Sequence, residues 1–167
     1  MSEHAVREAT RADLPSVLAL YRELRPNDPV LPDIEASASW DRLLASPDAL
    51  LIVAGFEGAV ESTCMLAIVP NIANGGRPFG IIERVITARK QRRRGLARAV
   101  LKHALHLAWS RSCCKVVLLS GAERTEAHRL YESVGFRGGI ECGFVAKPAS
   151  GPNLALNPDA PSARRLA

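Results

Sequence analysis

The sequence predicts an α/β fold, a sheet covered by helices, and three observations carry that reading. Apolar runs of strand length, such as Leu50–Phe56 and Lys115–Leu119, alternate with apolar positions at helical spacing, clearest over Gly95–Ser110. The two patterns are interleaved along the chain, which argues against a helical bundle and against a β-sandwich. The 167 residues are 47% hydrophobic and 23% charged, a composition that fits one globular domain with no need of a disulfide or metal to fold.

In chain order the pattern reads β α α β β β α β α β. Val6–Thr10 is a first strand, and Thr10 caps a helix over Ala12–Leu24 with Leu14, Val17, Leu18 and Tyr21 on one stripe. Pro26, Pro29 and Pro32 break the chain before a second helix over Ile34–Ala45, which ends near Pro47. Leu50–Phe56 is an uninterrupted apolar run of the kind that makes a buried strand. Glu57-Gly58 turns it into Val60–Val69. Pro70–Gly80 is a loop by its Gly, Pro and Asn content, and Ile81–Thr87 is the next strand. Gly95–Ser110 places Leu96, Val100, Leu101, Leu105 and Leu107 on an apolar side. Lys115–Leu119 is a short buried strand, Thr125–Val134 a helix stopped by Gly135, and Ile140–Ala146 a closing strand. Residues 1–147 then form the domain. Residues 148–167, rich in Pro, Ala, Ser and Asn, read as a poorly ordered tail.

Several functions are disfavoured at once. No apolar run approaches the roughly 20 residues that span a bilayer, and Met1-Ser2-Glu3-His4 lacks the features of a signal peptide. The expectation is a cytoplasmic protein without a membrane partner. Cys64, Cys113, Cys114 and Cys142 show no CxxC spacing, so they read as reduced thiols and no metal site is expected. The net charge of +5 comes from 18 Arg and only 4 Lys. Arg89, Lys90, Arg92, Arg93 and Arg94 put five cations into six residues, a solvated face or a phosphate contact. Nucleic acid is disfavoured, because the other arginines are interspersed with acids and aromatic residues are few.

The chemistry concentrates in Ile81–Phe136. A strand (IIERVIT) passes through a basic turn (ARKQRRRG) into an amphipathic helix. The first turn of a helix has unpaired N–H groups and partial positive charge, and Gly95 lets a ligand approach the backbone. Neither a Walker loop nor a Rossmann fingerprint is present. What stands here is Arg92-x-x-Gly95-x-Ala97, followed by a second strand and by Ala127-His128-Arg129-Leu130-Tyr131-Glu132-Ser133-Val134-Gly135-Phe136. In these two motifs, in this order and separation, the chain resembles the GNAT superfamily of acyl-CoA-dependent N-acetyltransferases. The resemblance covers about Val6 to Ala146.

The resemblance implies a mixed, mostly antiparallel central sheet with helices on both faces, splayed between the strand at 81–87 and the strand at 115–119. It implies acetyl-CoA as co-substrate, a small-molecule or peptide amine as acceptor, and a homodimer as an open option. Val85, Ile86 and Thr87 would lend backbone groups to the pantetheine arm. Arg93, Arg94, Gly95, Leu96, Ala97 and Arg98 would cradle the pyrophosphate with their amides. Arg92 would add side-chain charge, and Arg89 and Lys90 would suit a further phosphate. Tyr131 matches the tyrosine that protonates the leaving thiolate. Arg124 stands where many relatives carry an Asn that contacts the cofactor arm, and Arg124 or Ser120 could take its place.

Glu83 is the first choice for the base. On a regular strand Glu83, Val85 and Thr87 share a face, so the carboxylate could face the acceptor side of the cleft, and it could act through a water. It could equally pair with Arg84 or Arg77, or orient the substrate. Glu126, His103, His106 and His128 are weaker candidates and read as structural. Leu14–Ala45 and Asn71–Gly80 would flank the acceptor, where Asp28, Asp33 and Glu35 could draw a cationic amine or be solvated surface. The alternative function is a non-catalytic acyl-CoA sensor.

Overall fold

The structure, a computed structural model, describes residues 4–147; the tail read at 148–167 lies outside them. The elements are β1 (Ala5–Glu8), α1 (Leu14–Leu24), α2 (Asp33–Ala45), β2 (Ala49–Gly55), β3 (Ser62–Val69), the one-turn α3 (Ala73–Gly76), β4 (Phe79–Thr87), α4 (Leu96–Ser110), β5 (Val116–Leu118) and α5 (Thr125–Ser133). The five strands lie side by side in sequence order. β1 to β4 are antiparallel neighbours, and β5 is parallel to β4.

Each face of the sheet buries its own core. On one side Leu50, Ile52, Cys64, Leu66 and Ile82 meet Leu96, Val100, Leu101 and Ala104 of α4, with Tyr131 of α5 closing the end. On the other, Leu51 and Val53 meet Val17 of α1 and Trp40 of α2. β2 is buried along nearly its whole length because both its faces are covered, as its uninterrupted apolar run requires.

The start of α1 shows how local chemistry sets an element. Arg11–Asp13 forms a 3₁₀ turn ahead of the helix. The Asp13 carboxylate reaches back to accept the Thr10 N–H at 2.7 Å and takes both Arg7 guanidinium nitrogens at 2.6 and 2.9 Å. The Arg7 hydrogen bonds, with those from Thr10, outweigh burial and hold the Asp13 carboxyl down at about 2.

Two expectations fail. Among the described residues, Ile140–Ala146 forms no strand. β5 has only three paired residues, too short an edge to template another strand, and Gly138, Gly139 and Gly143 weaken the segment. Ile140, Phe144 and Val145 are left exposed. The loop read at Pro70–Gly80 is shorter, since Phe79 and Gly80 already pair with Val69 and Ile68. Gly80 also admits β5: a Cβ there would lie 3.1 Å from Val116 and 3.0 Å from Leu66.

β4 carries the feature that matters most for the site. Its pairing with β3 shifts between Thr63 and Met65, which face Ile86 and Glu83, so β4 holds one extra residue. Arg84 adopts φ 55°, in the left-handed region, consistent with a β-bulge. The bulge reverses which residues face which side. Ile82 and Val85 both pack on the α4 side, and Thr87 pairs with Ser62 there. Glu83 lies opposite Met65, which packs with α1 and α2. The expectation that Glu83, Val85 and Thr87 share a face is therefore wrong.

Candidate active site

β5 pairs with β4 only at Gly80, Ile81 and Ile82. Beyond Ile82 the two strands part, and the free edge of β4 faces a cleft of about 780 Å³. Val85, Ile86 and Thr87 form one wall. Arg92, Arg93, Gly95, Leu96, Ala97 and Arg98 form the floor, and α5 closes the far side with Thr125, Ala127 and Tyr131.

The floor is built to meet an anion. Gln91 N–H bonds Ala88 O at 2.8 Å, and the next amide with a backbone acceptor is Ala99, on Gly95 O at 3.0 Å. Among the described residues, the amides between them find no carbonyl, and they sit where the helix dipole of α4 is positive. Gly95 is in the left-handed region at φ 86°, which any L side chain resists, and a Cβ there would project into open space. The residues present thus fit a phosphate group on the loop: unpaired donors, no side chain in the way, and cations alongside.

The cations divide by position. Arg92, Arg93 and Arg98 line the cleft. Arg92 Nε donates to Thr87 O at 3.4 Å, and Arg93 reaches Glu126 of α5 at 3.0 Å, an exposed pair spanning the cleft. The Arg94 side chain turns away: it lies 4.0 Å over the Phe56 ring and bonds Gln91, which in turn holds Glu61 at 2.5 Å. Only its backbone remains in the floor segment. Neither Arg89 nor Lys90 lines the cleft; the Arg89 N–H is held by Glu23 at 3.1 Å.

A second cavity, of about 600 Å³, adjoins the first on the α1 side and holds Glu83. Tyr131, Val85, Ile86, Arg92 and Arg124 border both. Glu83 therefore faces the second cavity, not the loop. It is bound to neither suggested cation: Arg84 pairs with Asp28 at 3.5 Å, and Arg77 donates to the carbonyls of Ser112 and Cys113.

Tyr131 stands at the junction, 8% exposed. Its position is set by the end of α5. Gly135 N–H bonds Glu132 O at 3.0 Å and Phe136 N–H bonds Tyr131 O at 3.1 Å, the paired bonds of a Schellman cap, with Gly135 at φ 105°. The cap folds Phe136 back, edge-on to the Tyr131 ring at 6.2 Å. Burial pushes the phenol above its usual pKa, with Arg124 partly opposing. At neutral pH it keeps its proton.

The other candidates fall in different places. His128 Nε2 lies 3.0 Å from Gly121 O and ties the start of α5, while His103 and His106 lie on α4 and line neither cavity. Glu126 lines the first cavity, Asp28 the second, and Asp33 and Glu35 neither. Ser120 Oγ is sealed without a partner, and Arg124 lines the cleft instead. Sequence reasoning placed Leu14–Ala45 beside the acceptor but did not single out Glu23 and Arg25, at the end of α1, which line the second cavity.

Comparison with known proteins agrees with this architecture. Residues 14–136 match the model of the Acetyltransferase (GNAT) family. A candidate acetyltransferase from Agrobacterium tumefaciens str. C58 is 39% identical, with a TM-score of 0.82 over 86% of this chain and 99% of that one. An aminoglycoside N-acetyltransferase solved in complex with CoA has a TM-score of 0.73 over 88% of this chain and 96% of that one; at 19% identity the likeness is of fold alone. A glucosamine 6-phosphate N-acetyltransferase from Trypanosoma brucei brucei is 32% identical over 80 residues, 48% of this chain. The match spans about half (52%) of that curated relative. With the family model covering most of its length and the splayed sheet and basic loop in place, the chain belongs to the GNAT acetyltransferase family.

Proposed function

We propose that this protein transfers an acetyl group from acetyl-CoA to the primary amine of a small molecule by direct attack. The observation that carries this reading is the placement of Tyr131 where a phosphate-fitting cleft meets a second, charged cavity. The amides of Arg93 to Arg98 and the Arg92 side chain hold the pyrophosphate. The open edge of β4 at Val85, Ile86 and Thr87 takes the pantetheine arm. A two-substrate transfer needs one acidic group at the meeting point, and Tyr131 is the buried hydroxyl there.

The acceptor amine enters from the second cavity. Its nitrogen lone pair attacks the thioester carbonyl carbon, whose oxygen is met by a backbone N–H of β4, Val85 being best placed. The carbon–sulfur bond breaks, and the departing thiolate takes the Tyr131 proton. The acceptor's ammonium first gives one proton to Glu83 through water, which frees the attacking lone pair, and the nitrogen loses its second proton to solvent as the amide forms. The products are the N-acetyl amine and CoA, and exchange with solvent returns both side chains to their starting states. That a sugar-phosphate N-acetyltransferase is among the similar proteins supports a small acceptor.

The test is calorimetric titration with acetyl-CoA and with CoA, followed by thiol release across a panel of amines. Micromolar binding with release from at least one amine is expected. Binding with no release from any amine favours the sensor reading, and no binding overturns the assignment of the loop.

A further inference from the structure

The second cavity has an internal charge balance that points to its ligand. Four arginines border it. Arg92 and Arg124 also border the first cleft and face the cofactor side, and Arg84 is held by Asp28 at 3.5 Å. That leaves Arg25, at the C-terminal end of α1, which lines only this cavity. Three carboxylates border it too. Asp28 is taken by Arg84, and Glu23 accepts the Arg89 N–H at 3.1 Å. That leaves Glu83.

Among the described residues, neither Arg25 nor Glu83 has an ion-pair partner. They come from different elements, the end of α1 and the bulge of β4, on the walls of one cavity. The bulge holds its place at the expense of a left-handed Arg84, and such strain persists where the surrounding structure enforces it. A cation that lines this cavity alone and a carboxylate free of other contacts, on two different elements, complement a molecule that carries both charges.

Resting on the acetyltransfer reading, we infer that the acceptor is an anionic primary amine. Its ammonium lies toward Glu83 and Tyr131, and a phosphate or carboxylate on the same molecule is held by Arg25. Guanidinium is suited to either oxyanion through paired N–H donors. A neutral amine would leave Arg25 unmatched, and a polycation would meet it as a like charge.

The experiment compares matched acceptors in the thiol-release assay: 2-aminoethyl phosphate against ethanolamine, glucosamine 6-phosphate against glucosamine, and β-alanine against propylamine. The anionic member of at least one pair is expected to show kcat/KM about 10-fold or more above its neutral partner. The phosphate and carboxylate pairs tell the two anions apart. In Arg25→Gln that ratio collapses toward one, and Arg25→Lys restores part of it. Acetyl-CoA affinity, measured separately, verifies that each variant is folded. Neutral amines used as well as their anionic partners, or an Arg25→Gln ratio equal to the wild-type ratio, would overturn the inference while leaving acetyltransfer intact. No release from any of the amines overturns both.

Discussion

Tyr131→Phe removes one oxygen and leaves the packing in place. The ring lies in the α4-side core and meets Phe136 edge-on at 6.2 Å, and both contacts survive the change. Among the described residues no hydrogen bond ends on the hydroxyl, and it is not sealed from solvent, so its loss orphans no partner. The expected stability change is within about 0.5 kcal/mol. Tyr131→Ala, by contrast, would empty a core site at a cost of about 3–5 kcal/mol.

The kinetic effect should be much larger than the stability effect. A positioned general acid is worth roughly 10²–10⁴ in rate. The leaving group here is a thiolate, whose parent thiol has a pKa near ~8.5, so it needs less help than an alkoxide would. The low end of the range applies, a loss of about 100-fold in kcat, or about 2.7 kcal/mol in the barrier. KM for acetyl-CoA should stay within about twofold, because a group that acts on the departing thiolate adds little to ground-state binding. Since burial raises the phenol above 10.0, the acid stays protonated through neutral and mildly basic pH, and wild type should lose no activity through this group below about pH 10. Thiol release across a range of acetyl-CoA concentrations between pH 6 and 10, with a thermal melt of each variant, reads kcat, KM, the pH profile and the stability change. A Tyr131→Phe enzyme within about threefold of wild-type kcat would refute the acid role.

Three further outcomes follow from the geometry. Gly95→Val forces a branched side chain into φ 86° and into the open space over the loop; it should cost about 1–2 kcal/mol of stability and weaken acetyl-CoA binding at least about 10-fold by calorimetry. Asp13→Asn should destabilise the fold by about 2 kcal/mol at pH 7. The wild-type carboxyl is lowered from 3.8 to about 2, so its contribution is full above the unfolded value and is lost as pH falls through about 2; the wild-type advantage in thermal melts should shrink over that window. Burial pushes the Cys64 thiol up to about 12, so iodoacetamide should label exposed Cys142 first and leave Cys64 untouched until the protein unfolds, as read by peptide mass.

Much of this architecture is legible in the residues because it rests on local periodicity. The doubly buried β2, the amphipathic α4 and the capped end of α5 each announce themselves within a dozen positions. The basic loop is legible for the same reason: strand, cations, glycine and helix follow one another directly. What failed depended on distant partners. Ile140–Ala146 has the composition of a strand, but a strand needs an edge, and β5 offers three residues. The Arg94 side chain was grouped with its neighbours, yet Phe56, from a different part of the chain, captures it. Arg25 becomes a site residue only when the end of α1 is folded against β4. The bulge at Arg84 leaves no mark on a period-two reading, which puts Glu83 on one face with Val85 and Thr87.

The same bulge lets one strand border two separate cavities. A regular strand in β4's place would send Glu83, Val85 and Thr87 into a single space, and carboxylate and thioester would compete for it. With the bulge, the strand changes face at Arg84. Val85 and Thr87 turn to the α4 side, and Glu83 turns to the α1 side opposite Met65. The short β5 completes the division. Had it paired beyond Ile82, the β4 edge at Val85 would be occupied by another strand and the cleft would be closed. The two irregularities fall within a few residues of each other, and Tyr131, fixed from α5 by a cap that itself needs Gly135, borders both spaces they create. Both cavities open where regular pairing stops, and only there does the backbone have groups to spare for a ligand.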